Sequence, residues 1–373
     1  MKIMRKRVLA IAMCAIMSMV ALTGCSSSGE TKTNGSDDKV KVSLLVTGSF
    51  GDKAFNDSAQ QGMEKIKAEL SDKVDVEMIE MGNDKTKFEG SLLDASESDA
   101  DIIIVGTWDM KEILENTAPE YPDKKYIIFD TDVDYSLGDL DNVYSMSYKQ
   151  NEAAFLAGAL AASVTTSDME YANKDAVIGF VGAKDTAAVI NDSAVGYIEG
   201  AQFVNPDIKV MVSYVGSYVD SATAKELALT QYSSGADCVF VAAGPASSGV
   251  IEAAAEKQKY VIGVDSDQAL AYEGEEEANY IISSAIKGVG TTIYNSIERD
   301  LDGNLPYGTY EQLGLADGAV GLADNDIYET VVPETIRKSV EEVEQKLLDG
   351  KVTVDTAYGM DESTLKQIIN SAQ

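Results

Sequence analysis

Asp101-Ile102-Ile103-Ile104-Val105-Gly106-Thr107-Trp108-Asp109 is the stretch that decides the fold. Its four aliphatic residues are all β-branched and do not alternate with polar ones. Such a run suits a strand covered on both faces, the setting of a parallel sheet with helices on either side. A glycine ends the run, and a polar and aromatic stretch follows it.

Working outward, the same unit recurs. Apolar runs at 40–47, 74–81, 101–105, 126–130 and 143–146 read as strands, with a helix over 54–70 and helical stretches between some of the others. A helix over 150–163 opens a second series, with strands at 176–181, 208–215, 237–241, 260–264 and 280–284. Helices over 189–204, 221–233 and 247–257 lie between them. Helices between strands imply right-handed βαβ crossovers. Two such series without a proline-rich linker predict an α/β protein of two similar lobes joined by a hinge. The expected first lobe is 40–150 with about 285–315, and the second is 151–284 with about 316–373. The chain is expected to cross near 148–151, 284–288 and 314–322.

The N-terminus reads as an export signal. Lys2, Arg5, Lys6 and Arg7 precede an apolar run over 8–22, which is short against the about 20 residues of a spanning helix. Leu22-Thr23-Gly24-Cys25 follows and is similar to the bacterial lipobox, which implies acylation (palmitate) at Cys25 and removal of residues 1–24. Residues 26–39 carry no large apolar side chain and are expected to form a flexible tether with a reach of about 20 Å. The expected location is the outer face of a cell membrane, held by the lipid.

Composition narrows the function. Lys+Arg number 30 against 62 Asp+Glu, for a net charge of −32. So acidic a chain repels phosphate backbones, and nucleic acid is not expected as a partner. The absence of histidine excludes a Ser-His-Asp or Cys-His nucleophile and any His-based zinc site. Neither an EF-hand nor a Gly-x-x-x-x-Gly-Lys-Ser/Thr loop occurs, and no cofactor or metal is expected. Cys238 lies in an apolar run and reads as a buried strand residue.

In open α/β sheets ligands bind beyond the carboxyl ends of the strands. The segments there are Gly48-Ser-Phe-Gly-Asp-Lys-Ala-Phe-Asn-Asp57, Gly106-Thr-Trp-Asp109, Gly216-Ser-Tyr-Val-Asp220, Ala242-Ala-Gly-Pro245 and Asp265-Ser-Asp-Gln268. Aromatic faces with a few carboxylates and amides compose a small-molecule pocket. Each candidate has a plainer role too. Phe55, Trp108 and Tyr218 could pack in the core, Asn56 and Asp265 could cap helices, and Lys287 could be a surface lysine.

Asp52-Lys-Ala-Phe-Asn56, Tyr214-Val-Gly-Ser-Tyr218, Gly263-Val-Asp-Ser-Asp-Gln268 and Ser284-Ala-Ile-Lys287 together resemble the basic membrane protein (BMP, PnrA-like) lipoproteins. The resemblance runs over about 40–302. It implies the type I periplasmic-binding fold and the substrate-binding component of an ABC importer, with a permease and an ATPase as partners. It also implies a nucleoside ligand, purine for the family at large. Phe55 and Tyr218 would sandwich the base, with Tyr218 standing where the family commonly has Phe. Asn56 would bond the ligand, Asp265 and Lys287 would hold the ribose hydroxyls, and Gly244 would give a backbone contact. Trp108, where the family often has Phe, would add stacking surface. The chain departs from the family at Val46, where an Asp usually stands. The expected protein is a monomeric, non-enzymatic solute receptor. A sugar or autoinducer receptor, a sensor signalling to a membrane partner, and a carboxylate-dependent nucleoside hydrolase are the rival readings.

Overall fold

The structure, a computed structural model, describes residues 39–373. The expected signal, Cys25 and all but the end of the tether lie outside the described residues. Twelve strands occur among those described: β1 (Val40–Val46), β2 (Val74–Glu80), β3 (Ile102–Gly106), β4 (Lys125–Phe129), β5 (Val143–Tyr148), β6 (Val177–Gly182), β7 (Lys209–Tyr214), β8 (Cys238–Ala242), β9 (Tyr260–Asp265), β10 (Ile281–Lys287), β11 (Thr309–Leu313) and β12 (Val320–Leu322). The helices are α1 (Phe55–Glu69), α2 (Phe88–Glu97), α3 (Trp108–Thr117), α4 (Gln150–Thr165), α5 (Ala188–Val204), α6 (Ser221–Ser233), α7 (Ser247–Lys257), α8 (Gln268–Ala271), α9 (Val289–Leu301), α10 (Asp326–Val331), α11 (Glu334–Leu348) and α12 (Glu362–Ser371), besides short 3₁₀ turns.

The strands form two six-stranded sheets, ordered β11-β5-β4-β3-β1-β2 and β12-β10-β9-β8-β6-β7. Every pairing is parallel except the antiparallel β10–β12 edge. This is the two-lobed α/β architecture that the repeated strand–helix pattern predicts.

The period of two along each strand divides the core. Leu44, Val46, Ile102, Ile104 and Ile127 pack on one face of the first sheet. Leu45, Ile103, Val105, Tyr126 and Ile128 pack on the other. Both faces are covered, so Ile102-Ile-Ile-Val105 is buried throughout. Each such side chain contributes about 1.5–3 kcal/mol relative to exposure.

The chain passes between the sheets after β5, after β10 and between β11 and β12. β10 continues to Lys287 because its last three residues pair with β12, Ala285 opposite Leu322 and Lys287 opposite Val320. Residues 285–287 therefore belong to the second sheet, where the sequence reading assigned them to the first lobe. Lys287 is the last strand residue rather than one just past the strand.

Helices α4 and α5 pack closely through glycines. A Cβ on Gly158 would lie 2.1 Å from the Tyr197 carbonyl oxygen, and one on Gly200 would lie 1.9 Å from that of Phe155. Backbone blocks both, so the helices must separate to admit a methyl group. Gly200→Ala is expected to destabilise the protein by about 1–3 kcal/mol, read as a lowered midpoint in urea unfolding. An unchanged midpoint contradicts this packing.

Candidate ligand-binding cleft

The two sheets present the carboxyl ends of their strands to one another, and the backbone there is unusual. Thr107, Asp130 and Asp265, each just after or at the end of β3, β4 and β9, adopt φ of 75°, 63° and 67°. Lys53, in the loop after β1, has φ 53°. Non-glycine residues in this region cost of order 1–3 kcal/mol each and concentrate at functional sites. At the matching ends of β1 and β8, Gly48 (φ 101°) and Gly244 (φ 57°) take the same hand without a Cβ penalty.

Acidic and amide side chains shape the loop before α1. Asp52 accepts from the backbone N–H groups of Ala54, Asn56 and Asp57 at 2.9–3.1 Å. It thereby satisfies the open donors of α1 and sits favourably at the helix N-terminus. Asp57 accepts from the N–H groups of Gly51 (2.6 Å) and Lys53 (2.8 Å). Asn56 donates through Nδ2 to the carbonyls of Thr47 and Ser49, both at 3.2 Å.

The run Gly263-Val-Asp-Ser-Asp-Gln268 resolves into separate tasks. Gln268 accepts from Val264 N–H (3.2 Å), and its own N–H donates to Ser284 Oγ (3.1 Å). Asp267 caps α8 and accepts from Asn325 Nδ2 at 2.9 and 2.8 Å. Ser266 Oγ and Gln268 Nε2 donate across the cleft to the Lys53 carbonyl at 2.7 and 3.3 Å. The Lys53 ammonium pairs with Glu275 at 2.6 Å and lies 3.6 Å over the Tyr272 ring. The loop of the first lobe is thus clasped onto α8 of the second. Asp265 alone among the polar residues of the run is left to face Lys287.

Lys287 is the electrostatic centre. Its Nζ lies 2.9 Å from Asp130 Oδ1 of the first lobe and 3.9 Å from Asp265 Oδ1 of the second. The Phe55 ring centroid is 5.5 Å away and that of Tyr148 is 5.8 Å away. Burial opposes the charge on Lys287, but Asp130 and then Asp265 outweigh it and hold the ammonium above its ordinary value. Burial pushes Asp265 up to about 6 against the pull of Lys287, with Asp130 and Asp52 adding repulsion. A desolvated cation between two carboxylates leaves spare acceptor positions, which suit hydroxyl donors.

The other predicted residues divide. Phe55 is half-buried, 5.6 Å centroid to centroid from Phe129, and beside Lys287. Tyr218 is half-buried, and Gly244 is close enough that a Cβ there would meet the Tyr218 ring at 3.5 Å. Burial raises the Tyr218 phenol, and Lys287, Asp130 and Asp265 all act on it electrostatically. Asn56 is buried, and its NH₂ group is engaged by the loop carbonyls. Trp108 is 71 % exposed at the start of α3, with Lys111 Nζ 5.2 Å from its ring. Val46 is fully buried in the core and adds nothing polar to the cleft. Cys238 is a free, buried thiol.

Asp130 and Lys53 were missed in the sequence. Asp130 follows the run 126–129 directly, so it read as the last residue of a strand. A carboxylate ending an otherwise apolar run was the available signal. Lys53 carried none, because its role rests on its backbone carbonyl. No helix among the described residues is long and apolar enough to cross a membrane. No group of three or more His, Cys, Asp or Glu side chains suited to a metal ion occurs among them either.

Two α/β lobes facing one another across a polar and aromatic cleft are the architecture of solute-binding proteins. The chain matches the family described as ABC transporter substrate-binding protein PnrA-like over residues 39–352, and it belongs to that family. It is 32% identical over 377 residues to the ABC transporter nucleoside-binding protein BmpA of Lactococcus lactis subsp. cremoris, covering 94% of this chain and 99% of the relative. It is 31% identical over 370 residues to the CD4+ T-cell-stimulating antigen of Listeria innocua, with the same coverage. Among solved structures, an ABC transporter solute-binding protein from Aeropyrum pernix superposes with a TM-score of 0.76 at 26% identity, covering 89% of this chain and 97% of that one.

Proposed function

We propose that the chain captures a purine nucleoside in the cleft and delivers it to an ABC permease, anchored to the outer face of the membrane through Cys25. The observation that carries this is the buried Lys287 held between Asp130 and Asp265, with the Phe55 ring at 5.5 Å. Phe55 and Tyr218 are the aromatic faces for the base. Asp265, Asp130 and Lys287 are the partners for the ribose hydroxyls. The peptide at Gly244 lies beside Tyr218 and offers a backbone contact. Asn56 works mainly by holding the 47–51 loop, with its Oδ1 directed to the ligand. Trp108 extends the surface at the rim. Val46 leaves the first strand end without a carboxylate, and Asp130 supplies the first lobe's acidic group instead. The naming of the Lactococcus relative as nucleoside-binding supports this ligand class.

The chain acts as a receptor and not as an enzyme. The ligand biases an open–closed equilibrium toward the closed form, in which Lys53 is clasped to α8. Calorimetric titration with adenosine, guanosine, inosine and uridine, beside ribose and galactose, tests the reading. Heat with a purine nucleoside and none with the sugars is the expected result. Binding of a free sugar alone transfers the pocket to the sugar-receptor reading, and conversion of a nucleoside on incubation contradicts the non-enzymatic one.

A further inference from the structure

The loop before α1 is shaped from within its own lobe. Asp57 accepts from the N–H groups of Gly51 and Lys53, and Asp52 accepts from those of Ala54 and Asn56. The Lys53 carbonyl, on a residue with φ 53°, instead receives its hydrogen bonds from the second lobe. Ser266 Oγ donates to it at 2.7 Å and Gln268 Nε2 at 3.3 Å, filling both acceptor positions of one oxygen.

The donors are held as firmly as the acceptor. Gln268 is buried, its Oε1 accepts from the Val264 N–H at 3.2 Å, and its own N–H is bonded to Ser284 Oγ at 3.1 Å. A Cβ on Gly263 would lie 2.3 Å from Gln268 Oε1, so the bare backbone at 263 gives this carboxamide its seat. One end of the carboxamide is thus committed to its own lobe and the other end to the opposite lobe. Ser266 is buried too, directly after Asp265 at the end of β9. The Lys53 ammonium adds its pair with Glu275 at 2.6 Å, but both side chains remain partly in solvent, where such a pair contributes little. The carbonyl is the core of the contact. A backbone acceptor and two fixed donors meet only when the lobes meet, and opening the lobes separates them.

We infer that Ser266 and Gln268 are positioning residues that act through the Lys53 carbonyl as a latch, holding the lobes closed over the captured ligand and setting the rate at which it leaves. Lys53 lies two residues before Phe55, which opens α1, so the latch also holds the ring proposed for the base. The Lys287–Asp130 pair joins the lobes as well, but both of its members are proposed ligand partners. The latch uses none of the groups proposed to touch the ligand, so its effect on release is the same for every nucleoside. This rests on the nucleoside reading above and adds to it a control of residence time. Ser266→Ala removes one donor and is expected to speed dissociation about three- to tenfold, the effect of one neutral hydrogen bond, with association within about twofold of wild type. Gln268→Glu keeps the acceptor for Val264 and sets a carboxylate oxygen against the Lys53 carbonyl, so it is expected to speed dissociation by about tenfold or more.

The test is rapid-mixing kinetics of wild type, Ser266→Ala and Gln268→Glu with adenosine, inosine and guanosine. The latch predicts faster release by one factor shared by all the nucleosides that bind, with association unchanged. General structural damage lowers the fraction of protein that binds and leaves both rate constants where they were, which overturns the inference. Release at the wild-type rate in both variants overturns it too, and an effect confined to one nucleoside overturns it by making Ser266 or Gln268 a ligand contact. All three results leave the nucleoside reading intact. A wild type that binds none of the three overturns both. If Gln268→Glu fails to fold, Ser266→Ala still decides the matter.

Discussion

Lys287→Met is expected to lower the stability of the protein by about 3–5 kcal/mol and to abolish ligand capture. The lysine is buried, and its removal leaves Asp130 and Asp265 in the cleft without their shared cation. Methionine fills most of the lysine volume, so the effect reports charge rather than a cavity. The loss should appear as a lowered urea midpoint at pH 7. Part of it should return in the double variant Lys287→Met/Asp265→Asn, because the second change removes one of the stranded carboxylates. A single variant that unfolds at the wild-type midpoint would mean that the carboxylates are hydrated, and the cluster would lose its role.

Asp265→Asn separates stability from binding. In the unfolded chain this carboxyl titrates near 3.8, and burial pushes it up to about 6 in the folded one. Between those values the folded state holds the extra proton. Its stabilising contribution is therefore full below about pH 4 and is lost as pH rises through about 6. The change is about 3 kcal/mol from this one group. Asparagine abolishes that slope, so the difference in stability between variant and wild type should grow in the variant's favour from pH 4 to pH 7. Binding moves the other way. The ionised carboxylate accepts hydroxyl donors, so nucleoside affinity of the wild type should rise over the same window. The variant should lose about 1.5–3 kcal/mol of binding at pH 7, or one to two decades. Parallel melting and calorimetric series at pH 4, 5.5 and 7 check both. A variant that binds like wild type at pH 7 removes Asp265 from the site.

The parts of the fold legible in the sequence were those written in apolar periodicity. Ile102-Ile-Ile-Val105 announces a strand covered on both faces because nothing polar interrupts it. The edge strands carry no such signal. Thr309–Leu313 contains Tyr, Glu and Gln on an exposed edge, and Val320–Leu322 has only three residues, so both escape a pattern search. The candidate site was legible where residue type and position after a strand coincide, as at Asp265 and Tyr218. It was illegible where backbone or distant chain does the work. The Lys53 carbonyl meets Ser266 of the other lobe across more than two hundred residues. Thr356 and Ala357 are tied to the body of the protein by Asp192, more than 160 residues away in sequence.

The most direct measurement is a crystal structure of the protein grown with the purine nucleoside it binds most tightly. The account predicts the base between the rings of Phe55 and Tyr218, with the ribose hydroxyls on Asp265, Asp130 and Lys287. A nucleoside lodged elsewhere, or one whose base leaves both rings uncovered, would contradict it.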